Sequence, residues 1–236
     1  MFDIHCHILF GLDDGARDFE QSCTMLKLAY EQGITDIIAT PHFMPGRRNA
    51  SPETIRNVTK QLQDYIDEQG YGMRLYTGNE IYYHAEVRSW IEQGKVLTLA
   101  DTSFVLVEFA PLDDFRYIHN SLAELLSEGY TPILAHAERY EAIIQSPKDR
   151  AEQLKRMGVM IQINASSLER KHALEKKTIK ELLKNELVDF IGTDAHGTHS
   201  RTPIIAPCVK LLKRKCSKEY AQKLLYENAQ RLFNAK

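Results

Sequence analysis

Hydrophobic and polar positions follow two rhythms along this chain. Short, almost wholly apolar runs (DIIAT, FVLVEF, PILAH, VMIQIN, VDFIGT) recur between longer stretches with an apolar residue every three or four positions. Unbroken apolar runs of this length suit strands buried on both faces, the usual state of parallel strands. The pattern predicts strands over 2–8, 35–40, 73–78, 104–109, 131–135, 159–164 and 188–193. It predicts helices over 19–32, 52–69, 120–128, 147–157, 172–185, 204–215 and 218–233. Ser51 before Pro52 reads as a hydroxyl cap with proline in the first turn, and Gly33 and Gly70 suit helix ends. Strand and helix in alternation imply a parallel sheet, either closed as a barrel or open and doubly wound. No G-x-G-x-x-G and no P-loop follows a strand, which removes the main support for dinucleotide or NTPase chemistry.

Composition narrows the picture. With 236 residues, 43% of them hydrophobic, the expectation is one α/β domain over 1–236. A net charge of −2 supplies no basic field for nucleic acid. No apolar run is long enough for a membrane span, and MFDIHCHI lacks the basic start and apolar core of a signal peptide. The four cysteines, at 6, 23, 208 and 216, have no C-x-x-C spacing, so reduced thiols in a cytoplasmic protein are expected. Cys208 and Arg214 match the C-x5-R spacing of thiol phosphatases. The intervening VKLLK favours helix and lacks the glycines that a phosphate loop needs. The basic run KLLKRKCSK at 210–218 reads as a solvated helix face, with docking of an acidic tail or anionic membrane as the alternative.

Candidate chemistry collects at the strand ends. His5 and His7 are two residues apart in the first strand, so both point to one face and can share a metal ion. His42 follows the second strand, Glu80 the third, Glu108 ends the fourth, His136 ends the fifth, and Asp194 and His196 follow the last. These carboxyl ends are where α/β barrels build active sites. Glu108 within VLVEF stands out, because a carboxylate in an apolar run is costly unless paired or bound to metal. Asp14, in LDDG, suits either a turn or a ligand. Mixed nitrogen and oxygen donors favour Mn, Fe or Zn.

Taken together these motifs resemble the PHP (polymerase and histidinol phosphatase) superfamily, and within it the manganese-dependent tyrosine-protein phosphatases of Gram-positive capsule and exopolysaccharide clusters. The carriers are DIHCHIL, DDGA, TPH, GNE, Glu108, AHAERY and TDAHGTHSR, spread over nearly the whole chain. The resemblance implies a distorted TIM-like (β/α)7 barrel with the metal site at the C-terminal rim of its strands. It implies up to three Mn ions, with Fe or Zn as alternatives. His5, His7, Glu80 and Asp194 would hold the first; Glu80, as a bridge, with Glu108 and His136 the second; Asp14, His42 and His196 the third. Arg139 and Arg201 would grip the phosphoryl group, for which guanidinium offers two parallel donors. His199 is a weaker candidate for a general acid.

Phosphomonoester hydrolysis fits such a site, since clustered metals make a nucleophile from water and stabilise the leaving oxygen. The resemblance implies a phosphotyrosine tail on a bacterial tyrosine kinase as substrate. The loop at 43–50 is individual to this chain, so peptide preference does not carry over. Two other readings stand beside this one: a small-molecule phosphatase, such as one for histidinol phosphate, and a non-catalytic metal-binding module.

Overall fold

The structure, a computed structural model, describes residues 1–168 and 173–234. It has nine parallel strand segments: β1 (Phe2–Cys6), β2 (Asp36–Ala39), β3 (His42–Phe43), β4 (Arg74–Thr77), β5 (Glu80–Tyr82), β6 (Phe104–Glu108), β7 (Thr131–Leu134), β8 (Met160–Asn164) and β9 (Phe190–Gly192). They pair in the orders β1-β2-β4 and β3-β5-β6-β7-β8-β9. Because β2 runs on into β3 and β4 into β5, nine segments trace seven positions around a curled ring. The expected strands 35–40 and 73–78 correspond to β2 and β4 alone, and their continuations β3 and β5 lie beyond the expected ends. The breaks fall at Thr40–Pro41, where proline removes a ladder donor, and at Gly78–Asn79, where the Asn79 amide bonds the Pro41 carbonyl at 2.9 Å.

The ring closes where β9 meets β1. Asp194 N donates to His5 O at 2.8 Å and His7 N to Ala195 O at 2.9 Å. Asp3 reinforces the seam from inside: its carboxylate accepts from Thr193 N at 2.9 Å, Thr193 Oγ1 at 2.5 Å and His5 N at 3.2 Å. Burial pushes the Asp3 carboxyl up to about 6 despite these donors. Asp3→Ala removes that burial cost but orphans the buried Thr193 N–H. A net loss of about 2 kcal/mol is expected. In a chain of this size that lowers Tm by roughly 4–8 °C, readable by calorimetry.

Strand alternation sorts the core into two layers. Ile4, Ile38, Leu106, Ile133 and Phe190 cluster together with Leu232 of the C-terminal helix Asn228–Asn234. Ile37, Val105, Val107, Leu134, Ile161 and Ile163 join the larger cluster with the surrounding helices. Cys6 belongs to that larger cluster, whereas Ile4 does not. The expected strict alternation along the first strand is therefore corrected by a bulge between Asp3 and Cys6.

The helices follow the predicted stretches with shifted ends. Asp114 caps Phe115–Ser127 by accepting from Tyr117 N at 2.9 Å, so this helix begins before the expected 120. The expected helix over 172–185 is seen as Ala173–Lys184, and residue 172 lies outside the described residues. The expected 218–233 helix carries one wide turn at Lys223–Glu227. Cys208 is buried in the helix Ala206–Lys215, in agreement with the sequence argument against a phosphate loop there.

Candidate metal centre

The strand ends bring all nine candidate ligands to one place. His5, His7, Glu80 and Asp194 form one group whose ligand atoms lie within 4.8 Å of one another. His5 Nε2 and His7 Nε2 stand 3.2 Å apart, each about equally close to Glu80 Oε2 (3.2 and 3.1 Å) and to Asp194 Oδ1 (3.6 Å). A second group is His42, Glu80 and Glu108, with His42 Nδ1 3.1 Å from Glu80 Oε2 and 3.3 Å from Glu108 Oε1. His136 Nε2 joins its edge, 2.8 Å from Glu80 Oε1 and 3.6 Å from Glu108 Oε2. A third is His7, Asp14, His42 and His196, where Asp14 Oδ1 lies 3.4 Å from His42 Nε2 and 3.3 Å from His196 Nε2. Glu80, His7 and His42 thus each belong to two groups.

The imidazoles are aimed by partners behind them. His7 Nδ1 lies 2.7 Å from Asp13 Oδ2, His5 Nδ1 3.2 Å from Gln162 Oε1, and His196 Nδ1 3.0 Å from the Asp194 carbonyl. In the neutral ring each of those acceptors holds the proton on Nδ1 and leaves Nε2 bare toward the centre. Two bare nitrogens 3.2 Å apart repel unless a proton or cation lies between them. Glu80 Oε2, His42 Nδ1 and His196 Nε2 are buried there without a hydrogen-bond partner. This donor set fits metal ions.

Gln162 and Asn164 tie the ligands to β8. Gln162 Oε1 also accepts from His136 N at 2.7 Å. Its amide donates to Asn164 Oδ1 at 2.8 Å, and Asn164 Nδ2 donates to Asp194 Oδ2 at 2.6 Å. Gly192 leaves room for this packing, since a Cβ there would meet His5 Cβ at 2.7 Å. Arg139 and Arg201 both reach Asp194, at 2.9 Å to Oδ2 and 2.6 Å to Oδ1. His136, Asp194 and Arg201 all have left-handed backbones, with φ of 32°, 51° and 48°. Such conformations in non-glycine residues recur at functional sites.

Charge within the cluster is skewed toward bound protons. Burial would lower the His7 imidazole, but Asp13 and Glu80 outweigh it and raise it to about 9. The same contest, with Asp14 and Glu108 beside His42 and with Glu108 and Glu80 beside His136, raises these to about 11 and about 9. Asp14 falls well below the ordinary carboxylate range because the His196 and His42 imidazoles stand beside it, 3.3 and 3.4 Å away. His196 is lowered, chiefly by burial. Metal ions bind neutral imidazole, so loading must displace the protons that His7, His42 and His136 carry near pH 7. We expect proton release on titrating metal-free protein with Mn. Heats that vary with buffer ionisation enthalpy would show it, and buffer-independent heats would refute it.

The centre opens into a cavity of about 570 Å³. Asp14, His42, Glu108, His136 and Arg139 line one part, with Tyr82, Phe109, Pro111 and the loop residues Met44, Arg47 and Arg48 around them. His199 is exposed and outside this lining. Asp13, Gln162 and Asn164 were not singled out from the sequence. The last two break the apolar run VMIQIN at alternate positions, the same signal that marked Glu108.

A ring of parallel strands with imidazoles and carboxylates gathered at the strand ends defines an α/β-barrel protein built to hold metal ions. More narrowly, the chain belongs to the capsular polysaccharide synthesis CpsB/CapC family, which it matches over residues 1–234. It is 33% identical to the tyrosine-protein phosphatase YwqE of Bacillus subtilis, covering 98% of this chain and 91% of YwqE. It is 31% identical to the tyrosine-protein phosphatase CpsB of Streptococcus pneumoniae, covering 98% of both chains. A chain from the crystal structures of YwqE and CpsB, described as metal-dependent tyrosine phosphatases, superposes with a TM-score of 0.90. Its identity is 31%, with 100% of this chain and 95% of that one covered. A histidinol phosphate phosphatase from Lactococcus lactis shares the fold at a TM-score of 0.55 and 16% identity, over 99% of this chain and 92% of that one.

Proposed function

We propose that this protein is a metal-dependent protein-tyrosine phosphatase. Its substrate is the phosphotyrosine tail of a bacterial tyrosine kinase that controls capsule or exopolysaccharide synthesis, in the cytoplasm. Among the described residues, no helix is long and apolar enough to cross a membrane. The observation that carries the reading is the shared carboxylate Glu80, which joins two ligand groups beside an open cavity that Arg139 also lines.

In this reading His5, His7, Glu80 and Asp194 hold one ion. Glu80, Glu108, His136 and His42 hold a second. Asp14, His42 and His196, with His7 beside them, hold a third, manganese being the native metal. When bound, such ions supply a nucleophile from water near neutral pH and Lewis-acid stabilisation of phosphoryl oxygens. The chain does the rest. Arg139 presents a cationic donor where negative charge spreads over the phosphoryl oxygens. Tyr82, Phe109 and Pro111 give an aryl ring an apolar wall. Asp13 and Gln162 keep His7 and His5 in the required tautomer. Phenolate, with a pKa near 10, is a better leaving group than an alkoxide, so an acid such as the exposed His199 is not required. The buried Cys6, whose thiol burial pushes far up, is no nucleophile.

The test is a phosphatase panel on chelated and reloaded protein. EDTA should abolish hydrolysis of a phosphotyrosine peptide and Mn should restore it. Full turnover by verified metal-free protein would overturn the reading. Preference for histidinol phosphate would move the assignment to a small-molecule phosphatase, and bound metal without turnover to a binding module.

A further inference from the structure

The loop after β3 puts two arginines, Arg47 and Arg48, into the same cavity as the metal centre. Arg47 and Arg48 line that cavity together with His42, Glu108 and Arg139. Both are exposed, and among the described residues neither guanidinium has an ion pair or a hydrogen bond. The cations nearer the centre are spent differently, since Arg139 and Arg201 both lie on Asp194.

The loop is held in place. Asn49 accepts from Met44 N at 2.8 Å and donates to the carbonyls of Met44 at 2.9 Å and Arg47 at 3.1 Å. Arg47 N closes the turn on Met44 O at 3.1 Å, and Gly46 supplies the left-handed residue at φ 73°. The backbone carrying the two arginines is therefore ordered before any ligand arrives, which lowers the entropy lost on binding. Of the carboxylates that line the cavity, Asp13 faces His7, and Asp14 and Glu108 face His42.

We propose that Arg47 and Arg48 form a second anion subsite, which selects peptides carrying an acidic group beside the phosphotyrosine. The inference rests on the phosphatase reading and adds what that reading leaves open, the flanking sequence. Guanidinium pairs equally with a side-chain carboxylate or with a neighbouring phosphate, so anionic charge at this position is the recognised chemistry. The pairs would form at the mouth of the cavity, in water, and so weaken with salt.

The test uses the metal-loaded protein and fluorescent peptides that carry phosphonodifluoromethyl-phenylalanine, a phosphotyrosine mimic that is not hydrolysed. One peptide is flanked by Glu, one by Gln and one by a second phosphotyrosine mimic. Anisotropy should show the Glu peptide binding roughly tenfold tighter than the Gln peptide at low salt, equivalent to about 1.4 kcal/mol. In R47Q/R48Q that ratio should fall to about one, and R47K/R48K should keep part of it. A larger ratio for the doubly modified peptide would assign the subsite to a second phosphate; equal ratios would assign it to any anion. Equal binding of Glu and Gln peptides by the wild type, or an undiminished ratio in R47Q/R48Q, overturns the proposal. Because binding is read without turnover, failure of the phosphatase reading shows separately, as no hydrolysis of the matching phosphotyrosine peptides.

Discussion

Glu80→Gln is expected to lower kcat/KM on a phosphotyrosine peptide by about 1000-fold or more, some 4 kcal/mol of barrier, and to strip bound metal at the same time. Glu80 is the carboxylate common to two ligand groups, with Oε2 near His5, His7 and His42 and Oε1 near His136. Burial raises the cost of its charge, but His5, His136 and His7 outweigh it and hold the carboxyl well below its usual range. The amide is nearly the same size, so packing survives. It brings no charge, and its N–H₂ offers no lone pair to a metal ion. Metal stoichiometry by atomic emission beside steady-state kinetics checks the expectation. A variant with normal metal content and normal turnover would remove Glu80 from the centre.

Arg201→Ala should separate phosphate binding from metal binding. Asp194 would lose the guanidinium at Oδ1 but keep Arg139 and Asn164 on Oδ2, at 2.9 and 2.6 Å. Metal content should therefore hold. Turnover should fall about 100- to 1000-fold, roughly 2.7–4 kcal/mol, as when a single oxyanion donor is removed. Metal loss in parallel with activity would make Arg201 a brace for Asp194 alone. Turnover close to wild type would leave the phosphate to the metals and Arg139.

Much of this architecture was legible in the residue order, because buried parallel strands announce themselves as apolar runs and polar residues at their ends have few structural excuses. Glu108 and His136 could be placed that way. What escaped was whatever depends on two strands meeting. The breaks at Pro41 and Gly78 turn on which neighbour each half pairs with, and the bulge after Asp3 on how β1 meets β2. Asp13 was not singled out beside Asp14, yet it holds His7 and also accepts from His42 N at 3.0 Å. The sharing of His7 and His42 between groups could not be read from spacing, because it depends on where the two rings lie in space. Arg201 was expected on the phosphoryl group, and its present contact is a carboxylate seven residues away.

The seam between β1 and β9 sets the order in which this molecule comes into being. Cys6 and Ala195 bridge across 189 residues, and the first ligand group draws His5 and His7 from one side of that seam and Asp194 from the other. The two histidines are synthesised nearly 190 residues before Asp194, the last member of their ligand group. Contacts of such sequence separation form late and slowly. A chain that stops short of β9 lacks Asp194, so the first ligand group is completed only once that strand and the turn after it exist. An ion held by that group would fasten β1 to β9, and its removal should free that seam before the rest of the ring.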